Sequence, residues 1–385
     1  MKVVYILHYP GFGGANVACL SLMLRLRSEY GVEPICLVPM DGQVIKILND
    51  NGIRNCILHY AAWRGPRSGI KGLVYAAVTT VVNAVCAFRV RKLLQGEMID
   101  IIHGNTSLTG FAWFLAKLMK VPLVWHQREF GEEDYGLKYY YGKKIAGKMI
   151  GSSACVITVS KAMGDYYAEF VRPVSKLLPI YDGIDVEKID RIQNEAIEAF
   201  GGSDEFRLCI VGGISPGKNQ KDAIDALDWL KKHDKLSNIH FYIIGAGTQQ
   251  YEKELKDYIA QLGLTDRVHF LGQKTNVFPY LKKMNCLLCC SLREGFGLSV
   301  VEGMYAGLPI VAARAGAMKE LIEEGVVGYQ YDLFDAEQLA NRILDVKSGN
   351  LGPDQPNRSK QRVLDNYTLA KNTRSIYDVY KKALS

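Results

Sequence analysis

Two glutamates, Glu294 and Glu302, stand eight residues apart in the run EGFGLSVVEGMYAGLPIVAARAG, directly after the apolar segment Cys286 to Leu292. A strand that ends at Arg293-Glu294-Gly295-Phe296-Gly297 and opens a helix at about Leu298 leaves backbone N–H groups without partners, which suits a phosphate. Glu302 then falls about one turn into that helix. In an open α/β sheet, ligands bind beyond the carboxyl ends of the strands, so this turn is where a nucleotide would sit. Taken alone, each glutamate favours a plainer reading as a capped surface loop and a solvated helix position. The combination is more specific, because Gly307-Leu308-Pro309-Ile310-Val311-Ala312 adds a helix stop, a proline and a second buried strand, as a β-α-β unit demands.

A second turn, Val211-Gly212-Gly213-Ile214-Ser215-Pro216-Gly217-Lys218-Asn219-Gln220-Lys221-Asp222, also joins a strand to a helix. A lysine placed there carries a point charge to a diphosphate, and Asn219 adds hydrogen bonds. On sequence grounds Lys218 and Lys221 read equally as solvated lysines at a helix start. The first such turn, Tyr9-Pro10-Gly11-Phe12-Gly13-Gly14-Ala15-Asn16, brings small residues where backbone must approach a ligand closely, although it is not a Gly-x-Gly-x-x-Gly fingerprint. His126 ends the strand Val121-Pro122-Leu123-Val124-Trp125-His126, with Gln127-Arg128-Glu129 following. A lone histidine more often satisfies a core hydrogen bond, yet the carboxyl end of a strand is the functional edge. His103 and His8 occupy similar strand ends and are weaker candidates.

The elements that must position these residues alternate between apolar strands and helical stretches, the order of parallel sheets flanked by helices. In the first half the strands are expected at Val3 to Leu7, Val32 to Val38, Arg54 to His59, Ile99 to His103, Val121 to His126 and Ala154 to Val159. In the second half they are expected at Arg207 to Val211, Ile239 to Ile244, Val268 to Phe270, Cys286 to Cys290 and Pro309 to Ala313. A chain of 385 residues exceeds what one core accommodates. The expected division is a first domain over 1–180, a junction over 181–204 carrying Tyr181-Asp182-Gly183-Ile184-Asp185 and Gly201-Gly202-Ser203-Asp204, a second domain over 205–365, and a terminal helix over 366–385 that packs back toward the first domain.

The chain shows no uninterrupted run of eighteen apolar residues, and Met1 to Leu7 meets His8-Tyr9-Pro10 too soon for a signal-peptide core, so a cytosolic protein is expected. Nine cysteines, mostly embedded in apolar runs and without paired C-x2-C spacing, argue for reduced thiols and against zinc. Charge is uneven: residues 1–180 hold 21 Lys or Arg against 12 Asp or Glu (+9), leaving 26 against 28 (−2) for the rest. The basic half suits an anionic partner: nucleic acid, an anionic membrane surface or a phosphorylated acceptor. Solubility alone is the plainer explanation.

The pattern Glu-x7-Glu, with Gly-Phe-Gly after the first glutamate and Ala-Gly-Leu-Pro-Ile-Val after the second, resembles the retaining glycosyltransferases of family 4. The resemblance extends over essentially the whole chain. It implies an α/β fold of GT-B architecture, with two Rossmann-like, doubly wound domains facing each other across a cleft. It also implies transfer of a glycosyl group from a nucleotide-diphosphate sugar, a UDP-sugar being expected, to an acceptor hydroxyl with retention at the anomeric carbon. No cofactor and no metal are implied. Glu294, His126 and Lys218 take the catalytic places. Glu302 would bind the ribose hydroxyls and Glu294 the transferred sugar, while the segment Gly295, Phe296, Gly297, Leu298 and Ser299 holds sugar and diphosphate. Gly13 and Gly14 would lie in the cleft, and Gly213, Lys218 and Asn219 at the donor diphosphate. The chain departs from the family at Gly213, where an arginine commonly shares the diphosphate with the lysine; Lys221, Arg293 or a basic group from the first domain could substitute. It departs again at Asp182, where Asn is usual.

Two stretches bear on the acceptor. Ala61 to Gly72, with Trp63, Arg64, Arg67 and Lys71, precedes a helical apolar segment Leu73 to Phe88, and Lys138-Tyr139-Tyr140-Tyr141-Gly142-Lys143-Lys144 sets aromatics beside cations. Both resemble a membrane-surface patch, and both read equally as a core helix with cleft-lining tyrosines. A saccharide or lipid-linked saccharide acceptor in surface polysaccharide synthesis fits the patch, and places the protein in the cytoplasm or at the inner face of the cell membrane. Other classes stay open: a noncatalytic sugar-nucleotide-binding protein and a sugar-nucleotide epimerase. A phosphorylase lacks its pyridoxal-lysine motif here, and no nucleic-acid partner is expected, since the basic residues show no aromatic-interleaved groove signature.

Overall fold

The computed structural model describes the chain apart from residues 12, 67, 68, 199 and 203. Phe12 of the first glycine turn, Arg67 and Ser68 of the basic stretch, and Ser203 of the expected junction therefore lie outside the described residues. The chain divides into two compact units, Met1–Gly183 with Leu369–Ser385, and Ile184–Thr368.

The first unit carries β1 (Lys2–Ile6), β2 (Glu33–Val38), β3 (Arg54–Ile57), β4 (Arg64–Gly65), β5 (Ile101–Gly104), β6 (Leu123–Gln127), β7 (Lys138–Tyr139), β8 (Cys155–Thr158) and β9 (Leu177–Pro179). Seven of these form a sheet in the order β3-β2-β1-β5-β6-β8-β9, while β4 pairs with β7 alone. Every pairing in the large sheet is parallel. Parallel strands are covered on both faces, so they need unbroken apolar runs, and Val3 to Ile6 and Ile35 to Val38 are all buried.

The second unit carries β10 (Phe206–Val211), β11 (Ile239–Ile244), β12 (Val268–Gly272), β13 (Cys286–Cys289), β14 (Ile310–Ala313) and β15 (Gly328–Tyr331). They form one parallel sheet in the order β12-β11-β10-β13-β14-β15. The sequence pattern does not announce β4, β7, β9 or β15, because each is short and three of them carry polar residues. Strand β15 depends on Gly328, where a side chain would bring Cβ to 1.9 Å from the carbonyl oxygen of Ile310 on β14. Among the described residues eight of the nine cysteines are buried, and Cys56 is partly exposed.

The helix Gly69–Leu93 is long and apolar enough by composition to cross a membrane, although only 33% of its most apolar stretch is buried. Thr79, Thr80 and Asn83 interrupt the run of apolar letters without adding charge, so a search for an unbroken run passes over it.

The last helix, Leu369–Leu384, belongs to the first unit, where Ile376, Val379 and Tyr380 join the core beside Val3, Tyr5 and Leu22. The Tyr380 hydroxyl lies 2.8 Å from His103 Nδ1 and 3.0 Å from the Tyr5 hydroxyl. Burial holds His103 neutral, with its pKa lowered to about 3. Substituting Tyr380→Ala should cost about 3–5 kcal/mol from lost packing. Tyr380→Phe, which only strips the hydrogen bonds, should cost about 1–3 kcal/mol. Urea unfolding of the two variants against the parent chain checks both the values and their order.

Candidate functional site

In each sheet the strand order reverses at one place, between β1 and β5 in the first unit and between β10 and β13 in the second. Connections leave such a pair of strands in opposite directions, which opens a crevice at their carboxyl ends. The Glu294 and Lys218 turns are the two that follow β13 and β10.

They meet in the crevice. The Leu292 N–H donates to the Gly217 carbonyl at 3.0 Å and ties the turns together. Lys218 Nζ lies 2.6 Å from Glu294 Oε2, and the Ser291 hydroxyl donates to that same oxygen at 2.9 Å. Lys218 is aimed by a short 3-10 turn, Pro216–Lys218, in which the Ser215 side chain accepts from the Lys218 N–H. Asn219 then takes a left-handed conformation with φ of 49°, which asparagine tolerates better than most residues. Its buried Nδ2 has no hydrogen-bond partner among the described residues.

The backbone of Glu294 is fixed from the far side. Ala317 N–H donates to the Glu294 carbonyl at 2.9 Å. Gly316, with φ of 54°, passes so close that a Cβ there would sit 2.3 Å from that oxygen. Gly297, with φ of 96°, opens the helix Leu298–Tyr305 without a side-chain cap. The amides of Leu298 and Ser299 therefore start the helix with no intrahelical acceptor, the arrangement that favours an anion. Phe296 is buried against Tyr367, with ring centroids 5.8 Å apart. Glu302 follows in the first turns of the helix, where burial pushes its carboxyl up to about 7.

Gly213 stands in open space: a Cβ would meet only the Ala246 carbonyl oxygen, at 3.9 Å. The shape of the turn does not forbid an arginine there. Lys221 does not replace it, because its ammonium is engaged by Asp225 at 2.8 Å and by the Tyr258 hydroxyl at 3.0 Å.

The expected first-unit residues gather at the other reversal. Gly13 begins the helix Gly14–Tyr30, and the Tyr9 ring lies over it, where a Cβ would fall 2.0 Å from the phenol oxygen. Buried Asn16 holds the turn by donating to the carbonyls of Tyr9 and Gly11 at 3.0 and 2.7 Å. Asn105, just past β5, donates to the Ala15 carbonyl at 3.2 Å and accepts from Arg128 Nε at 2.6 Å. Arg128 also pairs with Asp182, both groups buried, and its Nη2 lies 3.5 Å from His126 Nδ1. His126 is fully buried within β6, its pKa driven well down by burial and then by Arg128. Its Nε2 has no hydrogen-bond partner among the described residues.

Sequence reasoning missed Arg128, Glu129, Asn105 and Asn16. The available signal was the polar triplet Gln127-Arg128-Glu129 directly after a buried strand. Glu129 accepts from the Ser107 N–H at 2.8 Å, and His8 Nδ1 lies 3.9 Å from its other oxygen. The substitution of Asp for the usual Asn at position 182 has a local reason, since Asp182 pairs with a buried guanidinium whose charge a carboxamide would leave uncompensated.

Comparison with known proteins follows the same division. The family model described as Glycosyltransferase Family 4 matches residues 12–188, and the one described as Glycosyl transferases group 1 matches residues 193–363. The chain is 24% identical over 301 residues to the UDP-Gal:alpha-D-GlcNAc-diphosphoundecaprenol alpha-1,3-galactosyltransferase of Escherichia coli, covering 75% of this chain and 77% of that one. It is 28% identical to the D-inositol 3-phosphate glycosyltransferase of Salinispora tropica, over 98% of this chain and 83% of that one. The crystal structure of HepE from Anabaena, in complex with UDP and glucose, superposes with a TM-score of 0.79 at 21% identity, covering 99% of both chains. Both halves are thus matched in order, and the fold is shared over the full length, so the chain belongs to the group 1 glycosyltransferases of GT-B fold.

Proposed function

We propose that the protein is a retaining, metal-independent glycosyltransferase that moves a sugar from a UDP-sugar to a saccharide or lipid-linked saccharide in cytoplasmic glycan synthesis. One observation carries the reading. Lys218 and Glu294, from turns on either side of the β10/β13 reversal, stand 2.6 Å apart beside an uncapped helix start.

In this reading the diphosphate lies on the Leu298 and Ser299 amides and Lys218. These groups stabilise the charge that grows as the nucleoside diphosphate departs, so no metal is needed for it. Glu294 accepts hydrogen bonds from hydroxyls of the transferred sugar, and Glu302 from the ribose diol. A phosphate oxygen of the donor takes the acceptor proton on the face it leaves, which gives retention without a protein base. A part for His126 at the sugar rests on the family resemblance alone, since its Nε2 is buried within the first unit. The UDP complex of HepE and the UDP-galactose donor of the Escherichia coli relative support a uridine donor. That relative acts on a diphosphoundecaprenol-linked sugar, which supports a lipid-linked acceptor here. The place of Gly213 favours a second reading, a noncatalytic sugar-nucleotide-binding protein, because one of two usual cations is absent.

A panel of UDP-, GDP- and ADP-sugars, scored for binding and slow hydrolysis, separates the two. The transferase reading expects one donor to turn over, with EDTA leaving the rate unchanged. Lys218→Ala should then lower kcat by about 100- to 1000-fold, the loss of one preorganised charge-stabilising group. Binding without turnover of any donor would favour the second reading, and failure of every nucleotide to bind to folded protein would overturn both.

Because the Gly213 position is open, Gly213→Arg should fold normally and bind UDP about 10-fold or more tightly, as one charge-assisted hydrogen bond to phosphate warrants. Isothermal titration checks it.

The acidity of Glu302 gives a pH signature. Its carboxyl ionises near pH 7, and the ionised form accepts both ribose hydrogen bonds. Affinity for UDP-glucose, whose own charge is constant there, should rise about 10-fold between pH 6 and pH 8. Glu302→Gln should bind more weakly at pH 8 and show a flat profile. The sign for folding is opposite: a raised carboxylate pKa contributes stability at low pH that is lost as pH climbs from about 4.5 to about 7.

A further inference from the structure

The helix Gly69–Leu93 is built inside out. Its buried stripe runs through Gly72, Ala76, Thr79, Asn83 and Cys86 and turns apolar only near its end, at Ala87 and Val90. Its outward stripe holds Ile70, Leu73, Val74, Val78, Val81 and Phe88, each more than half exposed. A surface helix of a soluble protein turns its branched and aromatic residues inward, so the reversed arrangement marks the outward stripe as a surface with a partner.

Asn83 fixes the orientation. Its Oδ1 accepts from the Ala61 N–H at 2.8 Å, and its Nδ2 donates to the Ala61 carbonyl at 3.2 Å. Crossing a bilayer would tear the helix from these bonds and put Thr79 and Asn83 in hydrocarbon. The helix, about 37 Å long, stays on the unit and presents the stripe sideways.

Charge at both ends identifies the partner. Beside Gly69 and Leu73 lies a cavity of about 530 Å³ lined also by Tyr139, Tyr140, Lys138 and Lys143. Tyr141 ties this segment to the helix, its hydroxyl lying 2.7 Å from Thr80 Oγ1. Lys138 and Lys143 share one carboxylate, Glu132, at 3.8 and 3.1 Å, so the cavity keeps one net positive charge. Lys144 stands exposed next to it. At the other end Arg89, Arg91 and Lys92 are exposed, and the nearby Glu97 is already paired with Lys2 and Arg54 at 2.9 and 2.6 Å. Apolar residues between cations, with tyrosines at the margin, match the depth profile of a bilayer interface.

We infer that this helix is a docking surface for an anionic lipid bilayer. It lies in the plane of the headgroups, with Leu73, Val81 and Phe88 at the acyl boundary and the Lys138–Lys143 cavity on a lipid phosphate. The inference rests on the first unit alone and is independent of the donor chemistry proposed above.

Flotation of the full chain with vesicles tests it. The parent chain should float with phosphatidylglycerol-containing vesicles and much less with pure phosphatidylcholine, and added salt should weaken the first. Val81→Asp with Phe88→Asp, both at exposed positions, should reduce flotation at least about 10-fold while circular dichroism and thermal unfolding stay unchanged. Lys138→Gln with Lys143→Gln should remove the preference for anionic lipid and leave folding intact. The inference falls if the parent chain floats with neither vesicle, or if the aspartate variant floats like the parent. It also falls if sedimentation velocity shows a dimer that the aspartate pair dissolves without affecting flotation, because the stripe is then covered by a second copy. Nucleotide binding in solution is a separate readout, so loss of the donor proposal would leave this result standing.

Discussion

The reversal of strand order between β10 and β13 is the constraint from which the second unit's site follows. Parallel strands cannot be joined by tight hairpins, so each turn must leave the carboxyl edge and pass over one face of the sheet. Where neighbouring turns part, the backbone between them has no strand to pair with. Here the chain closes the gap with one amide, from Leu292 to Gly217, and one ion pair, from Lys218 to Glu294. Gly316 lets a third segment run against the Glu294 carbonyl, where any side chain would collide. The carboxylate is therefore held from its backbone on one side and from its oxygens on the other. A group that must meet a sugar hydroxyl gains from being held before the sugar arrives, since less order has to be imposed on binding.

The first unit meets the same constraint with different chemistry. Its reversal is filled by a buried polar network in which Arg128 engages Asp182 and Asn105, and Asn105 reaches the glycine turn. Breaking a buried ion pair on one side strands the other charge, so Arg128 and Asp182 depend on each other more than either adds to stability. Burial, and then the positive charge of Arg128, keeps His126 and His103 neutral. In a neutral imidazole one nitrogen donates and the other accepts, according to the tautomer, and His126 Nε2 has no partner among the described residues.

Much of the fold is legible in the sequence because parallel strands leave a strong trace. Val3 to Ile6, Ile239 to Ile244 and Cys286 to Cys289 are apolar on both faces and appear as unbroken runs. The short edge strands leave none: β15 reads Gly-Tyr-Gln-Tyr, and its place is decided by a backbone contact at Gly328. At the site, Lys218 and Glu294 are visible as members of two turns. Their contact is not, because it joins residues 76 positions apart and depends on strand order, which no local pattern encodes. Asp182 shows the same limit. Local sequence makes it a turn residue, while its partner Arg128 lies 54 positions away. The helix Gly69–Leu93 is legible as a helix and as apolar, but not as to which way it faces. Asn83, bonded to Ala61, and Thr80, bonded to Tyr141, help fix that.

The inside-out helix separates two kinds of selection along one stretch of chain. Gly72, Thr79 and Asn83 are held by packing and hydrogen bonds, so change there is paid in folding. Val78, Val81 and Phe88 touch little of the protein itself, and replacing one apolar residue with another there leaves the interior as it was. The same segment can thus drift freely in the identity of its outer residues while keeping its inner ones, and relatives of equal stability can differ in the surroundings they settle against.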